Sequence, residues 1–204
     1  MLDVQKTLYA KEYGNSVGST RGYGGYRNAL RIKKFIKLID PQPEDKILEI
    51  GCNRGLLLTN IQILAPKSIG VDVNKELVAT INNPSITYMS ATDLKLPMNS
   101  FNKVCAFEVI EHIDDIAKVF SEVYKILKRG GEFIISFPVE IIRGQTALLD
   151  AWTVYKDLRF ARKLHIHKLT PNKIKKMAEP LGYEVIESKI MLIPFPSFVM
   201  KLKK

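Results

Sequence analysis

Residues 47–55, Ile-Leu-Glu-Ile-Gly-Cys-Asn-Arg-Gly, constrain the fold more than any other stretch of this 204-residue chain. An apolar run leads into Gly51, a short polar turn follows, and Gly55 stands just before Leu56, Leu57 and Leu58. That order predicts a buried strand, a tight loop and a helix start. Gly51 carries no Cβ, so the backbone there can turn sharply and come close to a ligand. The helix that follows presents N–H groups with no partner inside the helix. The next apolar run, Ser68 to Val71, ends in Asp72, 21 residues beyond Gly51. A carboxylate at the tip of the second strand is where an α/β nucleotide site grips ribose hydroxyls.

The glycine spacing narrows the ligand. A dinucleotide fingerprint requires G-x-G-x-x-G, so that backbone can pack against a pyrophosphate. Here Asn53 occupies the second glycine position, and Glu49 stands in the approach to the loop. A carboxylate repels phosphate and suits a ligand that joins a ribose to a cationic head. The run Glu49-x-Gly51-x-x-x-Gly55 resembles the first motif of the class I S-adenosylmethionine-dependent methyltransferases, E-x-G-x-x-x-G. Three further pieces fall in that family's order. Ser90-Ala91-Thr92-Asp93-Leu94 follows a short predicted strand, Ile86 to Met89. Phe101 to Glu108 is similar to the family's fourth strand, F-D-x-V, with Asn102 where Asp is common. Leu127 to Pro138 is similar to its L-k-p-G-G turn and fifth strand, with Arg129 where Pro is usual.

The resemblance covers roughly residues 30–190. It implies an α/β fold: a doubly wound, Rossmann-like, seven-stranded sheet with an antiparallel last strand and helices on both faces. It implies S-adenosyl-L-methionine as cofactor. The residues it assigns to cofactor binding are Glu49, Gly51, Cys52, Asn53, Gly55, Asp72, Val73, Thr92, Asp93, Leu94, Phe107 and Glu108. Asp93 corresponds to the acid that meets the adenine amine.

Length and composition suit one domain with a sizeable core, residues 1–204. Helices are predicted over Ala29–Leu38, from Asn74 to Ile81, from Asp114-Asp115 through Ile126, and from Thr170-Pro171 to Leu181. Acids suit a helix N-terminus, and Thr-Pro makes a cap followed by a tolerated first position. Strands are expected over Tyr183–Met191 and Ser197–Lys201. Two segments fall outside this plan, and the resemblance implies that they cover the site: an N-terminal lid, 1–28, and an insertion, 139–169. Gly22, Gly24 and Gly25 predict a flexible stretch from Arg21 to Tyr26. No apolar run approaches bilayer length, and the first residues lack the apolar core of a signal peptide. Cys52 and Cys105 read as reduced structural residues of a cytoplasmic protein.

Charge is unevenly distributed. The net charge is +4 over residues 1–46, −2 over 47–155 and +8 over 156–204, within a total of +10. The cofactor-binding core is therefore not the basic part. A lysine-rich solvated surface accounts for the basic flanks, as does a collar that attracts an anionic substrate, an acidic membrane surface or RNA. The membrane alternative would make the protein peripheral to the bilayer.

The second constellation is Phe107-Glu108-Val109-Ile110-Glu111-His112. Ligands of doubly wound sheets sit at the carboxyl ends of strands. Glu108, Glu111 and His112 have i, i+3, i+4 spacing, which one helical turn would bring to one side. Two carboxylates and an imidazole can hold Mg²⁺, Mn²⁺ or Zn²⁺. E-x-x-E-H is similar to two metal-using branches of the family, the ubiquinone O-methyltransferases and the 2′-O-methyltransferases of small RNA ends. The latter add a later histidine, for which His167 is the match. Without a metal, His112 serves as a hydrogen-bonding group or general base, and it is the candidate catalytic residue in either case. Tyr13, Tyr23, Tyr26, Trp152 and His165 are candidates for the substrate wall, and ordinary packing of the covering segments is their alternative role. The expected activity is methyl transfer to oxygen of a small or lipid-linked acceptor. The alternatives are 2′-O methylation of RNA, and a non-catalytic protein that only binds the cofactor.

Overall fold

The structure, a computed structural model, describes residues 23–139, 167–192 and 196–204. Helix α1 spans Tyr23–Ile39 and leads to strand β1, Ile47–Ile50. Helix α2 is Leu56–Leu64, β2 Ile69–Asp72, α3 Lys75–Ala79 and β3 Ile86–Tyr88. Then come β4, Phe101–Phe107, a 3₁₀ turn at Ile110–His112, α4, Ile116–Ile126, and β5, Leu127–Pro138. After residue 166 follow α5, Pro171–Ala178, a 3₁₀ turn at Glu179–Leu181, β6, Glu184–Met191, and β7, Ser197–Lys203.

The seven strands form one sheet in the order β3-β2-β1-β4-β5-β7-β6. β7 runs antiparallel to both of its neighbours, and the β1–β2, β1–β4, β2–β3 and β4–β5 pairs are parallel. This is the doubly wound sheet with an antiparallel last strand that the sequence predicts. β1 is buried throughout, and Val104 to Phe107 of β4 form a continuous apolar run, because both faces of the sheet are covered. On one face Val104, Phe133 and Ile135 pack with Phe120 and Val123 of α4 and Ile174 of α5. On the other, Ile47, Cys105 and Ile134 pack with Phe35 and Leu38 of α1 and Ile61 of α2. The chain winds from β1 outward through β3, then crosses back to β4. The tips of β1 and β4 therefore flank the switch point, where such sheets hold their ligands. No helix among the described residues is long and apolar enough to cross a membrane.

Local signals account for most element boundaries. Asn74 caps α3 by accepting the Leu77 N–H at 2.9 Å, and Asp115 caps α4 by accepting from Lys118 N at 2.9 Å. Thr170 caps α5 ahead of its proline. The largest departure is α1. It starts six residues before the predicted Ala29, and Tyr23 to Tyr26, within the glycine-bearing stretch, form its first turn. Glycine lowers helix propensity without forbidding helical dihedrals, so it does not by itself stop a helix. β7 continues two residues past the expected end, to Lys203, because its ladder with β5 runs on to the Glu132–Lys203 pair.

α1 is fastened to the sheet beside the switch point. The Phe35 ring stacks on Phe107 at the end of β4, with centroids 3.9 Å apart and planes 3° from parallel. Phe35 is 3 % exposed. Truncation of a buried aromatic typically costs about 3–5 kcal/mol. Phe35→Ala should lose stability on that scale in chemical denaturation, and a loss under about 1 kcal/mol would show that the stack does not anchor the helix.

Candidate functional site

The first loop is built around two glycines at positive φ. Gly51 (φ +71°) donates its N–H to Val71 O at 2.8 Å, which ties the tip of β1 to β2. A Cβ at Gly51 would stand 2.5 Å from Val109 Cγ2, so the glycine lets the chain after β4 close on the tip of β1. Gly55 (φ +74°) opens α2 in the left-handed conformation, and a Cβ there would meet Ile86 Cδ1 at 2.5 Å. Asn53, between them, is also left-handed at φ +48°. Cys52 is buried, and its thiol is pushed well up by burial, with the carboxylates of Glu49 and Asp72 adding to the effect. It is a packing residue, not a nucleophile.

Asp72 organises the far wall. One carboxylate oxygen accepts the Asn53 N–H at 2.8 Å and the other accepts the Asn74 N–H at 2.9 Å. Each oxygen retains acceptor capacity, so a diol can be received by a group whose orientation is already fixed. Val73, half-buried, continues this wall beyond β2.

Glu49 lies beneath the loop. It is 7 % exposed, and its Oε2 has no hydrogen-bond partner among the described residues. Burial raises its carboxyl to about 8, a hydrogen bond from the Leu58 N–H opposes this, the charge of Asp72 adds to it and Arg31 opposes it. A buried carboxylate oxygen left without a donor is costly. A ligand with a cationic amino group supplies what is missing, so the donor set fits S-adenosylmethionine.

The third wall is the turn after β3. Ser90 Oγ and Thr92 Oγ1 lie 2.9 Å apart, and Asp93 N–H donates to Ser90 O at 3.1 Å. The Asp93 carboxylate is exposed and 3.6 Å from Lys95 Nζ, while Leu94 is buried in the core.

The fourth wall departs from the sequence expectation. Glu108, directly after β4, is left-handed at φ +57°, and its Oε1 accepts from Ser136 Oγ at 3.0 Å. A non-glycine residue held there stores strain of the kind found at functional sites. The following turn is 3₁₀, so Glu108, Glu111 and His112 do not share one face of an α-helix. Glu111 is buried, and its Oε1 lies 3.7 Å from His112 Nε2. His167 Nε2 bonds the Asp114 backbone carbonyl at 3.1 Å. The chain after the insertion thus returns to the end of β4, but no group of three or more His, Cys, Asp or Glu side chains among the described residues could hold a metal ion. The expected metal set of Glu108, Glu111, His112 and His167 is not assembled. The spacing presumed an α-helical turn, and His167 is directed to a backbone oxygen instead.

Tyr13, Trp152 and His165 lie outside the described residues, as do the side chains of Tyr23 and Tyr26. Sequence reasoning missed Val109, whose contact with Gly51 joins the two strand tips, and Ser136, the partner of Glu108. Neither carries a local signal. Asn74 was legible as the start of a helix, but not as its cap or as a partner of Asp72.

Comparison with known proteins agrees with this geometry. The methyltransferase-domain family matches residues 23–188. A protein of Mycolicibacterium smegmatis named "Probable S-adenosylmethionine-dependent methyltransferase" is 29% identical over 145 residues, covering 68% of this chain and 52% of the relative. A ubiquinone biosynthesis O-methyltransferase of Bradyrhizobium sp. is 31% identical over 98 residues, 45% of this chain and 39% of that protein. The chain thus spans about half the length, or less, of these curated relatives. The crystal structure of an S-adenosylmethionine-dependent methyltransferase from Mesorhizobium loti superposes with a TM-score of 0.67 at 17% identity, covering 90% of this chain and all of that one, a likeness of fold. With its family matched over most of its length, its strand order that of the solved methyltransferase fold, and a Glu49-Gly51-Gly55 loop at the switch point, the chain belongs to the class I S-adenosylmethionine-dependent methyltransferases.

Proposed function

We propose that this domain transfers the methyl group of S-adenosylmethionine to an oxygen of a small or lipid-linked acceptor. The observation that carries the reading is the pair of acids at the first loop: Asp72 fixed by two backbone N–H groups, and a buried Glu49 oxygen that lacks a donor among the described residues. When bound, the cofactor supplies an electrophilic methyl on a sulfonium. Asp72 takes the ribose hydroxyls, and Gly51, Cys52, Asn53 and Gly55 form the loop beneath. Thr92, Asp93 and Leu94 receive the adenine, with Val73, Phe107 and Glu108 completing the walls. His112 accepts the acceptor's hydroxyl proton, and the Glu111 carboxylate beside it stabilises the imidazolium that results. The likeness to a ubiquinone biosynthesis O-methyltransferase supports oxygen as the nucleophile. We assign Tyr13, Tyr26, Trp152 and His165 to recognition of the acceptor within one domain.

The partner reading rests on charge. Lys168, Lys173, Lys175 and Lys176 are all exposed on or next to α5, whose span contains no acid. An anionic lipid surface suits such a face and would bring a lipid-linked acceptor to the cleft.

Three measurements test these statements. Asp72→Ala should lose about 1.5–3 kcal/mol of S-adenosylhomocysteine binding in calorimetry, the worth of a charge-assisted hydrogen bond; unchanged affinity sinks the ribose assignment. Glu49 holds its proton more tightly folded than unfolded, so its stabilisation is full below pH about 4.5 and is lost as pH rises towards about 8. In urea titrations across that window the wild type should lose up to about 1.4 kcal/mol per pH unit through this group, and Glu49→Gln should flatten the slope. A slope identical in the variant refutes the buried proton. Finally, the protein should float with vesicles containing acidic lipid at low salt and release as salt rises. Binding to RNA in gel shifts without flotation favours the RNA alternative, and failure of both leaves an ordinary solvated surface.

A further inference from the structure

The turn bearing Asp93 is closed by bonds within itself, which set its shape but not its attitude to the sheet. Its long-range polar tie comes from α4. Leu94 N–H donates to Glu122 Oε2 at 3.3 Å, across 28 positions of sequence. Glu122 is 8 % exposed, on a helix whose other buried residues are apolar. Its second oxygen, Oε1, is 2.7 Å from Lys125 Nζ and 3.4 Å from Lys118 Nζ. Burial alone would raise this carboxyl, but the hydrogen bonds and charges of Lys125 and Lys118 outweigh it and leave it below the usual value. Glu122 is therefore a charged acceptor, the stronger kind, with one oxygen committed to lysines and the other to the turn. A leucine at this core-facing position would pack; a carboxylate there is explained by the N–H it holds.

We propose that Glu122 is a positioning residue for adenine recognition: by holding the Leu94 N–H it fixes the Asp93–Leu94 turn, so that the Asp93 carboxylate meets the adenine amine. The inference rests on the reading of Asp93 as the adenine partner. Glu122 does not touch the cofactor, and it acts on base selectivity through the turn alone.

The test compares binding of S-adenosylhomocysteine with its inosine counterpart, which carries oxygen in place of the adenine amine. Wild type should prefer the adenosine form. Glu122→Asp keeps the charge and the lysine partners but falls one methylene short of Leu94, so it should lose about tenfold of that preference. Glu122→Gln keeps both reach and an acceptor oxygen and should retain most of it. A purely structural role would lower the melting temperature of the variants without moving the ratio. Wild type that binds both ligands alike overturns the Asp93 reading itself. A wild-type preference kept intact in Glu122→Asp overturns the role of Glu122 alone. Amide exchange supplies a check that needs no variant: the Leu94 amide should be protected in the unmutated protein, and exchange as fast as in an exposed loop would overturn the inference.

Discussion

The contact between Gly51 and Val109 is the constraint on which the rest of the site depends. β1 and β4 are neighbours in the sheet, and their following loops must part to leave a crevice. Here they part only above a point of contact that would not admit a single Cβ. That contact fixes the height at which the crevice begins. Below it lies a dry, close-packed sheet. Above it, the loop after β1 swings toward Asp72 and the chain after β4 turns through the strained Glu108 toward Glu111 and His112. Each wall of the cleft is thus referred to one small volume at the centre of the fold.

Electrostatics complete what packing begins. Glu49 and Asp72 are two acids beside one loop, handled in opposite ways. Asp72 is given backbone donors for both oxygens, and Glu49 is buried with one oxygen left without a donor among the described residues. The first is a rigid clamp; the second is a debt that a cationic ligand settles. On the proposed reading a cationic head draws Glu49 into its charged form, and the pair then favours a ribose joined to a positive head over a phosphate, the distinction that the missing glycine at Asn53 suggests in the sequence.

Much of the fold was legible because its signals are local. Apolar runs of strand length, Asn74 and Asp115 at helix starts, and Thr170 as a cap before Pro171 each act within a few residues. The family resemblance then supplied strand order, which no local signal carries. What escaped depends on distance. Glu108 and Ser136 meet because β4 and β5 are in register, and Glu122 reaches Leu94 because α4 lies over the turn after β3. Spacing also misled. Glu108, Glu111 and His112 form one face only in an α-helix, and the left-handed residue followed by a 3₁₀ turn sends them elsewhere. Asn102, the departure from the family's aspartate, proves consistent with the fold: its Oδ1 accepts from Lys46 N at 3.1 Å and Lys128 Nζ at 2.9 Å, so the amide oxygen does the work of a carboxylate oxygen.

The stack of Phe35 on Phe107 gives α1 a mechanical character. Ile32, Ile36, Leu38 and Ile39 join Phe35 in one packed cluster that includes Phe107 at the end of β4. Because cores of this density transmit strain, a change of side chain anywhere along that helix face is felt at the tip of β4, several turns of chain away from where it is made.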